Sequence, residues 1–201
     1  MSKFLKLSAL PRSWDTAILG LLAMVLILAS TTTEGFLTSL NFSYIFSNTS
    51  EITIMAFAMT FLIITGEIDL SIASILALGS SMLGWSYQKG APIWLAIIIC
   101  LVVGTVCGFI NGFLVTKVGL GSLAVTIGTL ALYRGIANGI LGENTVNEFP
   151  EAYTSFGFDT FGTSFMPKTL PLIIFFGLIF GFLLHRTPFG RRTLAIGQSP
   201  E

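Results

Sequence analysis

Long apolar runs separated by short polar punctuation make up most of this chain. A helix that crosses a bilayer needs about 20 mainly apolar residues, with a range of about 17 to 25. Six runs predict six crossings: Trp14 to Thr33, Ile52 to Thr65, Leu70 to about Tyr87, Ile93 to Thr116, Ser122 to Leu141, and Leu170 to Leu184. The second run is the shortest and stops at Gly66-Glu67-Ile68-Asp69, which predicts a helix that ends early and a broken-helix segment over 66–71. Gln88-Lys89-Gly90-Ala91-Pro92 reads as a turn, and Gly119-Leu120-Gly121 opens the fifth helix. The most apolar part of the first run, Ala17 to Ala29, is also short enough for a signal-peptide core. A multi-span chain needs no cleaved signal, so a retained first helix is expected.

Composition agrees with an all-α, polytopic membrane bundle. Of the 201 residues, 53% are hydrophobic and 10% charged, against about 25% charged in soluble domains. Ten Lys and Arg balance ten Asp and Glu, which excludes a basic nucleic-acid binder and an acidic disordered tail. Two cysteines, Cys100 and Cys107, are too few for a disulfide framework and are expected to be inert packing residues.

Cytoplasmic loops carry the excess of Lys and Arg. With the amino terminus inside, Lys3, Lys6, Arg12, Lys117, Arg186, Arg191 and Arg192 fall on the cytoplasmic side, and Lys89 and Lys168 outside. The expected organisation is a cytoplasmic leader over 1–13, five helices over 14–142, an external segment over 143–169, a sixth helix over 170–184, and a cytoplasmic segment over 185–201. Membrane helices associate through small residues. Gly104, Gly108 and Gly112 share one face of the fourth span, Gly135 and Gly139 one face of the fifth, and Gly177 and Gly181 one face of the sixth; Ala73, Ala77 and Ser81 form a comparable stripe on the third. Tight packing within the bundle is expected of them.

Several polar residues stand out against this background. Acids inside a membrane protein face protein or a water-filled cavity. Asp69 is placed to cap the third helix by accepting from the amide of Ser71 or Ile72, and the same break is a candidate lining for a translocation path. Arg134 lies inside the fifth run and requires a carboxylate or carbonyl partner, Glu67 among the possibilities, or a route for its head group to water. Asn111 reads as an interhelical hydrogen-bonding residue before a ligand contact. The external segment, with Phe149, Tyr153, Phe156, Phe158, Phe161 and Phe165, reads as an aromatic belt or as a docking surface for an external partner. His185 is the only histidine and sits beside Arg186, as a rim residue rather than a metal ligand. No Lys follows a Gly, so no phosphate-binding loop is present, and neither His-Glu-x-x-His nor Gly-x-Ser-x-Gly occurs. No catalytic residue, metal site or cofactor is predicted.

The stretch Ile63-Ile64-Thr65-Gly66-Glu67-Ile68-Asp69-Leu70-Ser71 resembles a permease subunit of the carbohydrate-uptake ABC transporters, the ribose, xylose and autoinducer branch. Ile110-Asn111-Gly112-Phe113-Leu114-Val115 is similar to that family's Asn-Gly segment, and Val125-Thr126-Ile127-Gly128-Thr129-Leu130 to its Val-Thr-Leu-Gly-Thr segment. Arg186-Thr187-Pro188-Phe189-Gly190-Arg191 and Ala195-Ile196-Gly197-Gln198-Ser199-Pro200-Glu201 resemble the entry to its ATPase-contacting loop. Glu67 stands where many members have Gly, a form closest to the rhamnose-like branch.

The resemblance implies a subunit of an ATP-driven monosaccharide importer in a bacterial inner membrane, working by alternating access. Its partners would be cytoplasmic ATPases, an extracytoplasmic sugar-binding protein, a second permease subunit (itself or a paralogue) and membrane lipid. Gly66, Glu67, Asp69, Ser71, Asn111 and Arg134 become candidates for the translocation path. Gly190, Arg191, Gly197, Ser199 and Glu201 become candidates for ATPase coupling. The resemblance also implies an amino-terminal piece of roughly two thirds of a permease, because family members continue past the position matching Glu201. A passive channel, and an integral-membrane transferase using Glu148, Glu151 and Asp159, are the competing readings.

Overall fold

In a computed structural model, residues 13–142, 144–162 and 166–198 are described. Lys3, Lys6, Arg12, Phe165, Ser199 and Glu201, singled out above, lie outside the described residues. Among the described residues the fold is all helix: α1 (Ser13–Thr32), α2 (Ser39–Ile64), α3 (Ile72–Gln88), α4 (Ile93–Thr116), α5 (Ser122–Leu141), α6 (Glu151–Phe158), α7 (Leu170–Arg186) and α8 (Pro188–Gln198).

Local chemistry sets most of these boundaries. Thr38 caps α2, its hydroxyl accepting from the Asn41 amide at 3.3 Å. Gly90, at φ +94°, reverses the chain between α3 and α4, where a residue with a Cβ would be strained. Pro188 forces Thr187 into an extended conformation and then starts α8 at a position where no amide is needed. The resulting elbow between α7 and α8 is 69°.

Two expectations about the helices are corrected. The second helix begins at Ser39, well before Ile52. Its polar first half stays helical because the hydroxyls of Thr49, Ser50 and Thr53 donate to the carbonyls of Ile45, Phe46 and Thr49, hiding their polarity inside the helix. The external segment, read as a loop, contains the short helix α6.

Among the described residues, α1, α2, α4 and α5 are each long and apolar enough to cross a membrane, and α7 with α8 makes a fifth if the bent pair is one span. α3, with 17 residues, rises about 26 Å and sits at the short end of the spanning range.

The bundle has two packed groups. α3 lies against both α4 and α5, with Leu78, Cys107, Tyr133 and Ala137 at their junction. α2 lies against α7 and α8, joined by ring contacts of Phe61 with Phe180 and Phe189 at 5.8 and 5.7 Å. α1 buries none of its span against the rest.

The glycine stripes are largely corrected as well. A Cβ at Gly108, Gly112, Gly135, Gly139 or Gly181 would meet nothing within 4 Å. Only Gly104, facing Ile75, and Gly177, facing Phe57, are in contact. The close approaches fall instead at Gly79, against the Cys100 thiol, and at Gly84, against Val146. On α3 the buried stripe is Ser74, Leu78 and Gly79, whereas Ala73 is exposed. Four-residue spacing defines a helix face but not which face turns inward. On α4 the inward face carries Cys107 and Asn111.

Candidate functional site

The predicted break is real and tightly organised. α2 stops at Ile64, and Gly66 takes φ +79°, which turns the chain away from the helix axis. The Gly66 and Glu67 amides donate back to the carbonyls of Ile63 and Leu62 at 3.1 and 3.0 Å, satisfying the helix end. Residues 67–71 then run without helical hydrogen bonds until α3 begins. Buried non-helical backbone needs partners for its amides and carbonyls. Here α5 does so: Ser122 Oγ accepts from the Ile68 amide at 3.5 Å, and Thr126 Oγ1 donates to the Ile68 carbonyl at 3.3 Å.

A buried polar chain continues from this point. Asp69 Oδ1 accepts from both the amide and the hydroxyl of Ser71, each at 2.7 Å, which is the cap expected at this position. Ser71 is completely buried. Its hydroxyl oxygen accepts from Asn111 Nδ2 at 2.7 Å, and Asn111 Oδ1 accepts from the Tyr133 hydroxyl at 3.2 Å. The same hydroxyl lies 3.2 Å from the Cys107 carbonyl. Asp69, Ser71, Asn111 and Tyr133 thus tie the break to α4 and α5 through side chains whose donors and acceptors match.

Ser71→Ala removes the hydroxyl between Asp69 and Asn111 and leaves the buried Asn111 amide unpaired. A loss of about 1 to 3 kcal/mol is expected, read as a lowered thermal midpoint in detergent. An unchanged midpoint would show that the chain of bonds is not formed.

The other candidates separate from this cluster. Glu67 is half-buried beside the break. Arg134 is exposed and makes no ion pair with Glu67; the ion pair among the described residues is Lys168–Asp159, at 3.1 Å. Of the alternatives open to Arg134, an exposed head group is the one found and the Glu67 pairing is not. Tyr133, one residue earlier, faces the bundle core, and a one-residue step turns Arg134 away from it.

Gly190 sits at the α7–α8 elbow, where a Cβ would overlap the carbonyl oxygens of Leu183 and Leu184. Thr187 Oγ1 accepts from the Gly190 amide at 3.2 Å and so caps α8. Arg191 is exposed on α8. At the far end of α8, Gly197 abuts the Ile64 carbonyl, which a Cβ there would overlap.

Tyr133, Thr126 and Ser122 are site residues that sequence reasoning missed. The signal is present in α5, whose buried positions Thr126, Thr129, Tyr133 and Ala137 recur every three or four residues.

At the opposite end of the molecule, Phe149 lies between Tyr87 and Tyr153, with ring centroids 5.3 and 5.4 Å away. Burial first, and then the Cys100 thiol, push the Tyr153 phenol above its ordinary range, so it stays neutral. Tyr153, Phe156 and Phe158 line a cleft of about 650 Å³ whose other wall is Ser47, Asn48 and Glu51 of α2. The buried Ser47 hydroxyl is without a hydrogen-bond partner there. Among the described residues no group of His, Cys, Asp and Glu has the arrangement of a metal site.

Apolar helices long enough to span a bilayer, packed around a clamped helix break, make up a polytopic membrane bundle. Residues 41–201 match the family described as branched-chain amino acid transport system / permease component, and the chain belongs to it. A relative in Klebsiella pneumoniae, an autoinducer 2 import system permease protein, is 34% identical over 198 residues, covering 94% of this chain and 58% of its own length. Proteins of the same description from Enterobacter sp. and Yersinia enterocolitica are 33% and 34% identical, covering 94% and 92% of this chain and 59% and 57% of their own. The chain thus spans a little under three fifths of the length of these relatives. No solved structure matches.

Proposed function

We propose that this chain is a membrane-spanning part of an ATP-driven importer of a monosaccharide or a related small hydroxylated molecule. The observation that carries the reading is identity of about one third, along nearly the whole chain, to permeases of autoinducer 2 import systems. The reading assigns ATP hydrolysis to a separate cytoplasmic subunit. Pentoses, deoxyhexoses such as rhamnose, and autoinducer 2 are the substrates to test.

The reading puts the amino terminus in the cytoplasm of a bacterium and the chain in its inner membrane. α8, Gly190, Arg191, Gly197, Ser199 and Glu201 then lie on the ATPase side, and the aromatic cleft at α6 lies outside, where a sugar-binding protein delivers substrate. Gly66, Glu67, Asp69, Ser71 and Asn111 line or support the path, whereas Arg134, first a candidate for it, is exposed away from this cluster. Arg134 and the open glycine faces of α4 and α5 meet a second permease subunit, itself or a paralogue.

The test is copurification of the gene product with a candidate ABC ATPase subunit from the same organism, followed by uptake into proteoliposomes with and without ATP. Stable recovery of the ATPase and ATP-dependent uptake of one candidate sugar are expected. Uptake that runs down a gradient without ATP, with no ATPase recovered, would overturn the reading in favour of a passive channel.

A further inference from the structure

We infer that α8 and the end of α2 form one mechanical joint through the contact of Gly197 with Ile64, and that the hinge it drives is Thr65–Glu67. The inference rests on the transport reading above and adds the place where motion is concentrated.

Three observations define the joint. Gly197 packs so closely on the Ile64 carbonyl oxygen that no side chain fits between them. Ile64 is the last helical residue of α2, so α8 grips the helix at the point where its backbone ladder ends. The other end of α8 is held as well, by the Gly190 elbow and by Phe189 against Phe61. α8 therefore cannot slide along α2 without separating both contacts.

Beyond the break the chain is gripped by different helices. Ile68 is bonded to Ser122 and Thr126 of α5, and Ser71 to Asn111 of α4. Between these two clamps lie Thr65, Gly66 and Glu67. Gly66 has nothing within 4 Å of the position a side chain would take, and its φ of +79° suits glycine. A displacement of α8 carries the end of α2 with it. The group formed by α3, α4 and α5 stays with Ile68 to Ser71, and the dihedral change falls on Thr65 to Glu67, whose amides bond back to α2 carbonyls and to neither α4 nor α5. Hinges of this kind are a few element-terminal residues that absorb large φ/ψ changes. Gly197 is then a positioning residue: it touches no substrate and acts through α2.

The experiment uses the gene product in its complete form, assembled with its ATPase and binding protein in lipid nanodiscs. Spin labels are attached to azide-bearing residues placed at two pairs of exposed positions, Arg192 with Thr60 and Arg192 with Ile127, leaving the native cysteines intact. Distances are compared between the nucleotide-free and the ATP-trapped complex. The α8–α2 pair should hold its distance while the α8–α5 pair changes. If the α8–α2 pair changes as much as the α8–α5 pair, or if neither changes in a complex that transports, the joint is overturned.

Gly197→Ala adds a second readout. At equal amounts of assembled complex, substrate moved per ATP hydrolysed should fall about fivefold, within the range over which residues of a coupling network act. An unchanged ratio overturns the proposal. A variant that fails to assemble leaves the decision to the labelled pairs, which carry the native glycine. If the unsubstituted complex neither hydrolyses ATP nor transports, the transport reading fails; transport with a loose α8–α2 pair sinks the joint alone.

Discussion

Gly190→Ala is expected to cut recovery of the ATPase with the permease by about tenfold or more, equivalent to about 1.4 kcal/mol or more of lost association. The cause is steric and lies in the backbone. A Cβ at Gly190 would overlap the carbonyl oxygens of Leu183 and Leu184, neither of which can rotate aside as a side chain does. Overpacking of this type costs about 1 to 3 kcal/mol when the surroundings yield. They yield here by opening the 69° elbow between α7 and α8, which swings α8 off α2 and separates Phe189 from Phe61. Gly181→Ala is the matched control. It lies on α7, a Cβ there meets nothing within 4 Å, and a change within about 0.5 kcal/mol is expected. The measurement is the molar ratio of ATPase to permease after affinity purification. Equal loss in both variants would show that the elbow has no special part in holding α8.

Asn111→Asp is expected to lower stability by about 3 kcal/mol, well beyond the loss for Asn111→Leu, which should be about 1 to 2 kcal/mol. The side chains of Asn and Asp have nearly the same shape, so packing is preserved and only hydrogen-bonding capacity changes. Asn111 Nδ2 donates to Ser71 Oγ, and that hydroxyl spends its single proton on Asp69. An acceptor at 111 would face the Ser71 oxygen with no proton between them, in a site where Asn111 and Ser71 are both buried. Leu removes the bond but adds no charge, and the Tyr133 hydroxyl keeps the Cys107 carbonyl as an acceptor. Thermal unfolding in one detergent, with both variants beside the parent chain, gives the ranking. If Asn111→Asp is no worse than Asn111→Leu, the donor assignment at Asn111 is wrong.

The break is legible in the residues around it. The apolar run ends at Thr65, Gly66 suits a positive φ, and Asp69 is two residues from Ser71, the spacing of a local cap. Asn111, a lone amide in an apolar span, is legible as an interhelical bond. Its partners are not. Ser71 lies forty residues earlier in the chain and Tyr133 twenty-two later, and nothing local brings them together. Arg134 shows the same limit: its charge marks it as a residue that needs a partner, but the helix turns Tyr133, not Arg134, toward the core.

The sequence by itself determined that the chain is an all-helical membrane bundle, where α3, α4, α5 and α7 begin, where α2 ends, and that the chain carries permease-like motifs. The helices and their ends follow from hydropathy, proline and glycine, which act within a few residues of themselves, and the motifs from their resemblance to a known family. Only the tertiary structure decided that the glycine stripes of α4 and α5 face outward, that α6 exists, that the polar half of α2 is helical, and that Gly197 meets Ile64. Each of these depends on which face of a helix meets another, or on a contact between residues far apart in the chain. Periodicity marks a face but leaves its neighbour unnamed, and the neighbour is fixed by the packing of the whole bundle.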